Sequence, residues 1–253
     1  MHNPLQLSGR AILVTGASSG IGKSTAVLLS QLGAKVVLLA RNQAKLEQTA
    51  ALLEGSGHRI AVFDLGGIDG ISSRLTELVD QTGPLHGLVH CAGVGSLMPL
   101  RMLTMAHLDA VMRVNFHAAV ALTVAFCRKP MHQAGASVVL VASVAGLLGV
   151  PARSAYSASK GALIAFARSA ALEMAKTGLR INCVAPAFVR TEMYEGSLSA
   201  LTPEQLEKLI EATQPLGLGD PVDVANAIAF LLADTGRWIT GSVLAVDGGY
   251  TAQ

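Results

Sequence analysis

The sequence predicts an α/β chain with a single doubly wound parallel sheet of about seven strands and helices on both faces. Three observations predict it. Short apolar runs rich in Val, Leu and Ile alternate with helix-like stretches from end to end, the pattern of strands buried on both faces and joined by crossover helices. The runs end in small or polar residues, including Thr15-Gly16, Ala40-Arg41, Asp64, Ala92-Gly93 and Ser143, and open sheets of this kind bind ligands beyond those ends. No internal repeat or linker divides the 253 residues, so one domain is expected over 1–253.

Composition narrows the function. Hydrophobic residues make up 51% and charged residues 14%, so much surface must be buried within or between subunits. A formal net charge of +2 without a basic cluster argues against nucleic acid. No uninterrupted apolar run reaches the roughly 18 residues of a membrane span, and Met1-His2-Asn3-Pro4 has no charged segment leading into an apolar block. The cysteines, Cys91, Cys127 and Cys183, lack Cys-x-x-Cys spacing, which suits free thiols in a reducing compartment. A cytoplasmic protein is expected.

The first strand is Arg10–Val14. Thr15-Gly16-Ala17-Ser18-Ser19-Gly20-Ile21-Gly22 then leads into a helix through about Leu32. Such a glycine-rich turn exposes backbone N–H groups at a positive helix end, an anion site. Gly16 permits the turn, Ser18 and Ser19 can donate to phosphate, and Gly22 lets the helix approach the sheet. Strand two, Lys35–Ala40, ends at Arg41 rather than an acid. A guanidinium there favours the 2′-phosphate of NADP(H) over the bare hydroxyl of NAD(H); the plain alternative is a solvated residue before the helix Asn42–Leu53. Strand three, Arg59–Phe63, ends at Asp64-Leu65, where a carboxylate can accept from an adenine amino group. After a helix over about Ile68–Gln81, strand four, Gly87–His90, runs into Cys91-Ala92-Gly93.

A long helix is expected over His107–Met131, with Asn115 poorly placed for propensity and so in need of a partner or a task. Strand five, Ala136–Ala142, runs out into Ser143. Pro151 interrupts regular structure, and Ser154 can cap a helix to about Thr177 that carries Tyr156 and Lys160. At i and i+4 the phenol and the ammonium share one face. A free tyrosine titrates near 10, and a cation in a partly dry site can bring it toward neutrality. Strand six, Arg180–Val184, leads to Pro186-Ala187-Phe188-Val189-Arg190-Thr191. Helix starts at Thr202-Pro203-Glu204-Gln205 and Asp220-Pro221-Val222-Asp223 precede a last strand, Ser242–Val246.

In these motifs, from Thr15–Gly22 through Asp64, Ala92-Gly93, Asn115, Ser143, Tyr156 and Lys160 to Pro186–Thr191, the chain resembles the short-chain dehydrogenase/reductase family over its whole length. The resemblance implies a Rossmann-type fold and an NAD(P)-dependent carbonyl–alcohol oxidoreductase. It implies Tyr156 as general acid or base, Ser143 holding the substrate oxygen, Lys160 on the nicotinamide ribose lowering the tyrosine pKa, and Asn115 positioning a relay water. Cofactor contacts would come from Gly16, Ser18, Ser19, Gly20, Ile21, Gly22, Arg41, Asp64, Leu65, Cys91, Ala92, Gly93, Tyr156, Lys160, Pro186, Val189 and Thr191. A lid over about 192–215, with Met193, Tyr194, Leu198 and Leu201, would cover the substrate. Val150, Arg153, Phe188, Met193 and Tyr194 would line its pocket, and Arg153 would favour a polar or anionic group. His90-Cys91 stands where the family usually has Asn-Asn; His90 can take over the asparagine's hydrogen bonds, and a metal on His86, His90 and Cys91 is disfavoured because strand neighbours face opposite sides. The likeness is nearest to 3-oxoacyl-(acyl-carrier-protein) reductases, with sugar, polyol or other small-alcohol dehydrogenases as the alternative and a catalytically silent dinucleotide sensor as the non-enzymatic one. The substrate is expected to be a small-molecule or carrier-bound carbonyl, and the assembly a homotetramer or dimer using the long helices around 107–131 and 154–177. No metal is expected.

Overall fold

Each apolar run forms a strand, in a computed structural model that describes residues 3–197 and 201–252. The strands are β1 (Ala11–Thr15), β2 (Lys35–Ala40), β3 (Arg59–Val62), β4 (Leu85–His90), β5 (His132–Val141), β6 (Arg180–Pro186) and β7 (Val243–Val246). All pair in parallel, in the order β3-β2-β1-β4-β5-β6-β7. From β1 the chain steps outward to β3, then crosses back to β4. The crevice between β1 and β4 is thus the switch point at which such sheets bind ligands.

Helices α1 (Gly20–Gln31), α2 (Gln43–Ala50) and α9 (Pro221–Leu232) cover one face, burying Leu29, Leu46 and Ile228 on Val14, Val36 and Val139. Helices α3 (Ile71–Thr82), α5 (Ala118–Cys127) and α6 (Ser154–Met174) cover the other, burying Leu75, Leu122 and Leu163 on Leu13, Leu88 and Val138. Helix α4 (Met105–Met112) runs into α5 through a π turn at Arg113–His117, and α7 (Glu192–Ser197) and α8 (Pro203–Thr213) lie between β6 and α9. The stretch Met105–Cys127 is apolar and long enough to cross a bilayer, but Ala118, Leu122 and Phe126 are buried in the core.

Several boundaries differ from expectation. The helix expected to reach Met131 ends at Cys127, since Pro130 has no N–H to continue it, and β5 begins at His132 rather than Ala136. β4 begins at Leu85, and β6 extends through Pro186. Arg153, not Ser154, occupies the N-cap of α6; Ser154 is already helical. Thr202 and Gln205 exchange the bonds of a capping box. In the expected lid, Leu198 lies outside the described residues.

The unusual pair at the end of β4 is used structurally. Thr15 Oγ1 accepts the Ala92 N–H and lies 3.1 Å from His90 Nδ1, tying the ends of β1 and β4. His86, four residues earlier, accepts the Ala11 N–H. His90 is 1% exposed, and its Nε2 has no partner among the described residues. Burial, reinforced by the Lys160 charge, lowers its pKa from 6.5 to about 3. Unfolding therefore takes up a proton between those values, so stability is lost as pH falls from 6.5 toward 3. The loss is on the order of 4 kcal/mol. His90→Asn, which cannot charge, is expected to narrow or reverse its stability deficit against the parent between pH 7 and pH 4, as measured by urea unfolding.

Candidate active site

Where the strand order reverses, two cavities meet. The first is a cleft of about 440 Å³ along the carboxyl ends of β1, β2, β3 and β4. Its wall includes Gly16, Ser18, Ser19, Gly20, Ile21 and Gly22, then Arg41, Asn42 and Lys45, then Asp64 and Leu65, and finally Cys91, Ala92 and Gly93. At two positions the turn leaves no room for a side chain. A Cβ on Gly22 would lie 2.2 Å from the Gly16 carbonyl oxygen, and one on Gly16, whose φ is +66°, would lie 2.9 Å from the Ala92 nitrogen. The α1 N-terminus opens beside this backbone, with no side-chain cap from Ser19, so its N–H groups remain for a phosphate. Arg41 is exposed at the outer corner, where Asn42 caps α2 through the Lys45 N–H. Asp64 accepts the Gly66 N–H, and Leu65 is buried against the core. The trough thus fits a dinucleotide: glycine backbone for phosphates, cations at the β2 end, a carboxylate at the β3 end. Burial pushes the Cys91 thiol up to about 12, against weaker pulls from Lys160 and Thr25, so it lines the cleft as an uncharged group.

The second cavity, about 140 Å³, opens from the first beyond β5 and β6. Ser143, Tyr156 and Lys160 face it, with Val150, Arg153, Phe188, Met193 and Tyr194 around them; Pro186, Val189 and Thr191 complete the junction with the cleft. Thr191 donates to the Val189 carbonyl and accepts the Tyr194 N–H, tying α7 to the end of β6.

Ser143 sits in extended backbone just past β5; its Oγ accepts the Ala145 N–H and points toward the Pro186 carbonyl at 3.4 Å. Tyr156, in the first turn of α6, is 8% exposed. Lys160 is 4% exposed, donates to the Val141 carbonyl at 2.8 Å, and lies 5.7 Å from the Tyr156 ring centroid. Burial brings its pKa down to about 8. Asn115, at the centre of the π turn, accepts the Val94 N–H and donates to the Val94 carbonyl and to Ser159 Oγ. Ser159 in turn donates to the Tyr156 carbonyl at 2.7 Å. Asn115 Oδ1 and Lys160 Nζ both flank Gly93, and Oδ1 keeps one lone pair beyond its bond to Val94.

One expectation is corrected. From the protein's own groups, burial raises the Tyr156 pKa, and the opposing pulls come from the Ser143 hydrogen bond and the Arg153 charge. The ammonium lies over the ring, engaged by a main-chain carbonyl. Sequence reasoning also missed three residues that build the site. Ser159 joins Asn115 to α6, and its place three residues after Tyr156 was the available signal. Gln214, 2% exposed, clasps the Phe188 N–H, the Phe188 carbonyl and the Gly217 carbonyl. Tyr250 lines the pocket 6.2 Å from the Phe188 ring. Neither of these two had a local motif.

A doubly wound sheet with a phosphate-ready turn and a Ser, Tyr and Lys cluster at its switch point defines a dinucleotide-dependent oxidoreductase. Comparison with known proteins narrows the class. A family model described as enoyl-(acyl carrier protein) reductase matches residues 16–251. A 3-oxoacyl-[acyl-carrier-protein] reductase from Mus musculus is 37% identical over 237 residues, covering 93% of this chain and 95% of its own. A cis-4-hydroxycyclohexanecarboxylate dehydrogenase from Sinomonas cyclohexanicum is 36% identical, covering 96% and 97%. A solved dehydrogenase/reductase from Sinorhizobium meliloti 1021 superposes with a TM-score of 0.88 at 31% identity, over 98% of this chain and 97% of the other. The chain belongs to the short-chain dehydrogenase/reductase family and is an oxidoreductase using a nicotinamide dinucleotide.

The Asn115 to Ser159 bond is expected to hold the π turn against α6. Ser159→Ala should cost about 1–3 kcal/mol of unfolding free energy by leaving buried amide and carbonyl groups short of a partner, measured by chemical denaturation. In the ligand-free protein the Tyr156 phenol is expected to ionise only above pH 10, read as the ultraviolet difference titration between the parent and Tyr156→Phe.

Proposed function

We propose that this protein is an NADP(H)-dependent oxidoreductase interconverting a carbonyl and a secondary alcohol, with Tyr156 as the proton-transfer group. The observation that carries this reading is the convergence of Ser143, Tyr156 and Lys160 where the small pocket opens into the dinucleotide cleft. A nicotinamide bound there supplies or takes up the hydride. In reduction Tyr156 gives its hydroxyl proton to the substrate oxygen, and in oxidation it takes that proton back. Ser143, already within hydrogen-bonding range of the phenol, holds the same oxygen. Lys160, lowered only to about 8, is charged at neutral pH and placed to bind a ribose hydroxyl. Asn115 and Ser159 fix the backbone behind it and offer one acceptor lone pair to a relay water.

Arg41, just past β2, and Lys45, in the first turn of α2, both line the cleft, and this pair of cations supports NADP(H) over NAD(H). The substrate has two readings. A 3-oxoacyl group on a carrier fits the apolar lining of Val144, Phe188, Met193 and Tyr194 and the activity named for the mouse relative. A small polar alcohol is favoured by Arg153 in that lining and by the hydroxy acid named for the Sinomonas relative. Exposed Met105, Val124 and Leu172 on the long helices support a homotetramer or dimer, and three free cysteines suit a cytoplasmic location.

NADPH consumption with a panel of ketones tests the reading. Tyr156→Phe is expected to lower kcat by about 10²–10⁴-fold; equal rates for parent and variant would exclude Tyr156 as the proton donor. Arg41→Ala is expected to weaken NADPH about tenfold or more, the value of a lost charge-assisted bond of about 1.5–3 kcal/mol, and to change NADH little, as measured by fluorescence titration.

A further inference from the structure

Aromatic residues are scarce in this chain and are not spread evenly. Of six phenylalanines, three tyrosines and one tryptophan, Phe188 and all three tyrosines line the substrate pocket. Tyr156 serves proton transfer; the other three rings form a cluster of their own. Phe188 stands in the middle, its ring centroid 6.5 Å from Tyr194 at 69° and 6.2 Å from Tyr250 at 60°. Both are the tilted contacts that aromatic quadrupoles prefer. The rings come from three places: the loop after β6, the first turn of α7, and a short turn over Tyr250–Ala252. Each hangs on backbone that another side chain holds. Gln214 engages both the N–H and the carbonyl of Phe188, and Thr191 accepts the Tyr194 N–H. The Asp247 carboxylate accepts the Gly249 N–H, the Thr251 N–H and the Thr251 hydroxyl at 3.0, 2.9 and 2.6 Å. The Tyr250 N–H donates to the Asp247 carbonyl, and the Leu216 N–H to the Gly248 carbonyl, which joins the Tyr250 turn to the Gln214 clasp. The cluster is therefore in place before a ligand arrives, and binding costs little further ordering.

The space these rings border, about 140 Å³, is close to the roughly 150 Å³ of an apolar cavity that takes up one benzene molecule. We propose that Phe188, Tyr194 and Tyr250 determine specificity and that the preferred substrate is an aryl ketone, or its benzylic alcohol, with its ring seated among them. This inference rests on the carbonyl-reductase reading above and narrows its substrate to a flat ring close to the reacting carbon, rather than a flexible acyl chain. Tilted ring contacts add to the gain from burying apolar area, and a rigid ring has no rotors to freeze on binding. With the reacting oxygen held at Ser143 and Tyr156, a pocket of this volume has room for one ring beside it.

The test compares three eight-carbon ketones with NADPH: acetophenone, cyclohexyl methyl ketone and 2-octanone. The parent protein is expected to show its lowest KM for acetophenone, about threefold or more below that for cyclohexyl methyl ketone. Phe188→Leu and Tyr250→Leu are each expected to shrink that ratio about threefold, through KM rather than kcat, while Tyr250→Phe keeps it. The ratio within one variant cancels the unequal reactivity of the ketones, and NADPH fluorescence titration verifies that each variant is folded. Calorimetric binding of 1-phenylethanol and 1-cyclohexylethanol to the parent NADPH complex, which cannot turn over, is decisive even where a variant does not fold: tighter binding of the phenyl compound is expected. Equal or weaker binding of it, a lower KM for 2-octanone, or a ratio that neither leucine variant moves overturns this inference while the carbonyl-reductase reading stands. Reduction of none of the three and of no other ketone removes that reading and this inference with it.

Discussion

The structure is built around one buried ammonium. Lys160 lies inside the protein, where a charge survives only with close partners, and its one side-chain hydrogen bond among the described residues is to the Val141 carbonyl at the end of β5. That bond requires α6 to lie tightly on the strand and loop it follows. Gly146 makes this possible, because a Cβ there would fall 2.8 Å from the Lys160 carbonyl carbon. From the other side the π turn brings Asn115 to Ser159, and Ser159 to the Tyr156 carbonyl. Helix α6 is thus fixed by polar bonds at the level of the site and by apolar packing of Leu163, Ile164 and Ala167 further along.

The same burial shapes the neighbouring groups in opposite senses. It raises the Tyr156 phenol and the Cys91 thiol and lowers His90 and Lys160, each shift favouring the neutral form. The protein's own groups here lean toward neutrality, although Lys160, brought down only to about 8, keeps its charge at neutral pH. Proton exchange at neutral pH then depends on what binds, since a ligand that displaces water and adds its own dipoles changes the balance that now keeps the phenol protonated. The protein's own contribution before binding is the Ser143 hydrogen bond and the Arg153 charge.

The sheet and the placement of the Ser, Tyr and Lys residues were legible in the sequence because both depend on local pattern. Strands such as Val36-Val37-Leu38-Leu39 are apolar throughout for burial on two faces, and Tyr156 and Lys160 share a side of α6 by helical period alone. The ends of the long helix were less legible. Nothing local marks Arg113–His117 as a wider turn, since it arises where Asn115 must meet Val94 and Ser159, which are distant in the chain. Gln214 was silent for the same reason: two of its three side-chain bonds reach Phe188, 26 residues away, and only the third, to the Gly217 carbonyl, is local. The Val141 carbonyl that engages the Lys160 ammonium was not legible either, because helical spacing gives direction but not a partner on another element.

The two adjoining cavities have outer ends that share little. The corner of Arg41, Asn42 and Lys45 lies on α2 and the tip of β2, whereas Arg153 lies across the sheet at the start of α6. No hydrogen bond among the described residues joins the two. The closest approaches of the turn, at Gly16 and Gly22, are backbone on backbone, with no side chain at those two positions to repack. For anyone adapting this scaffold as a biocatalyst, coenzyme choice and substrate choice are separate dials.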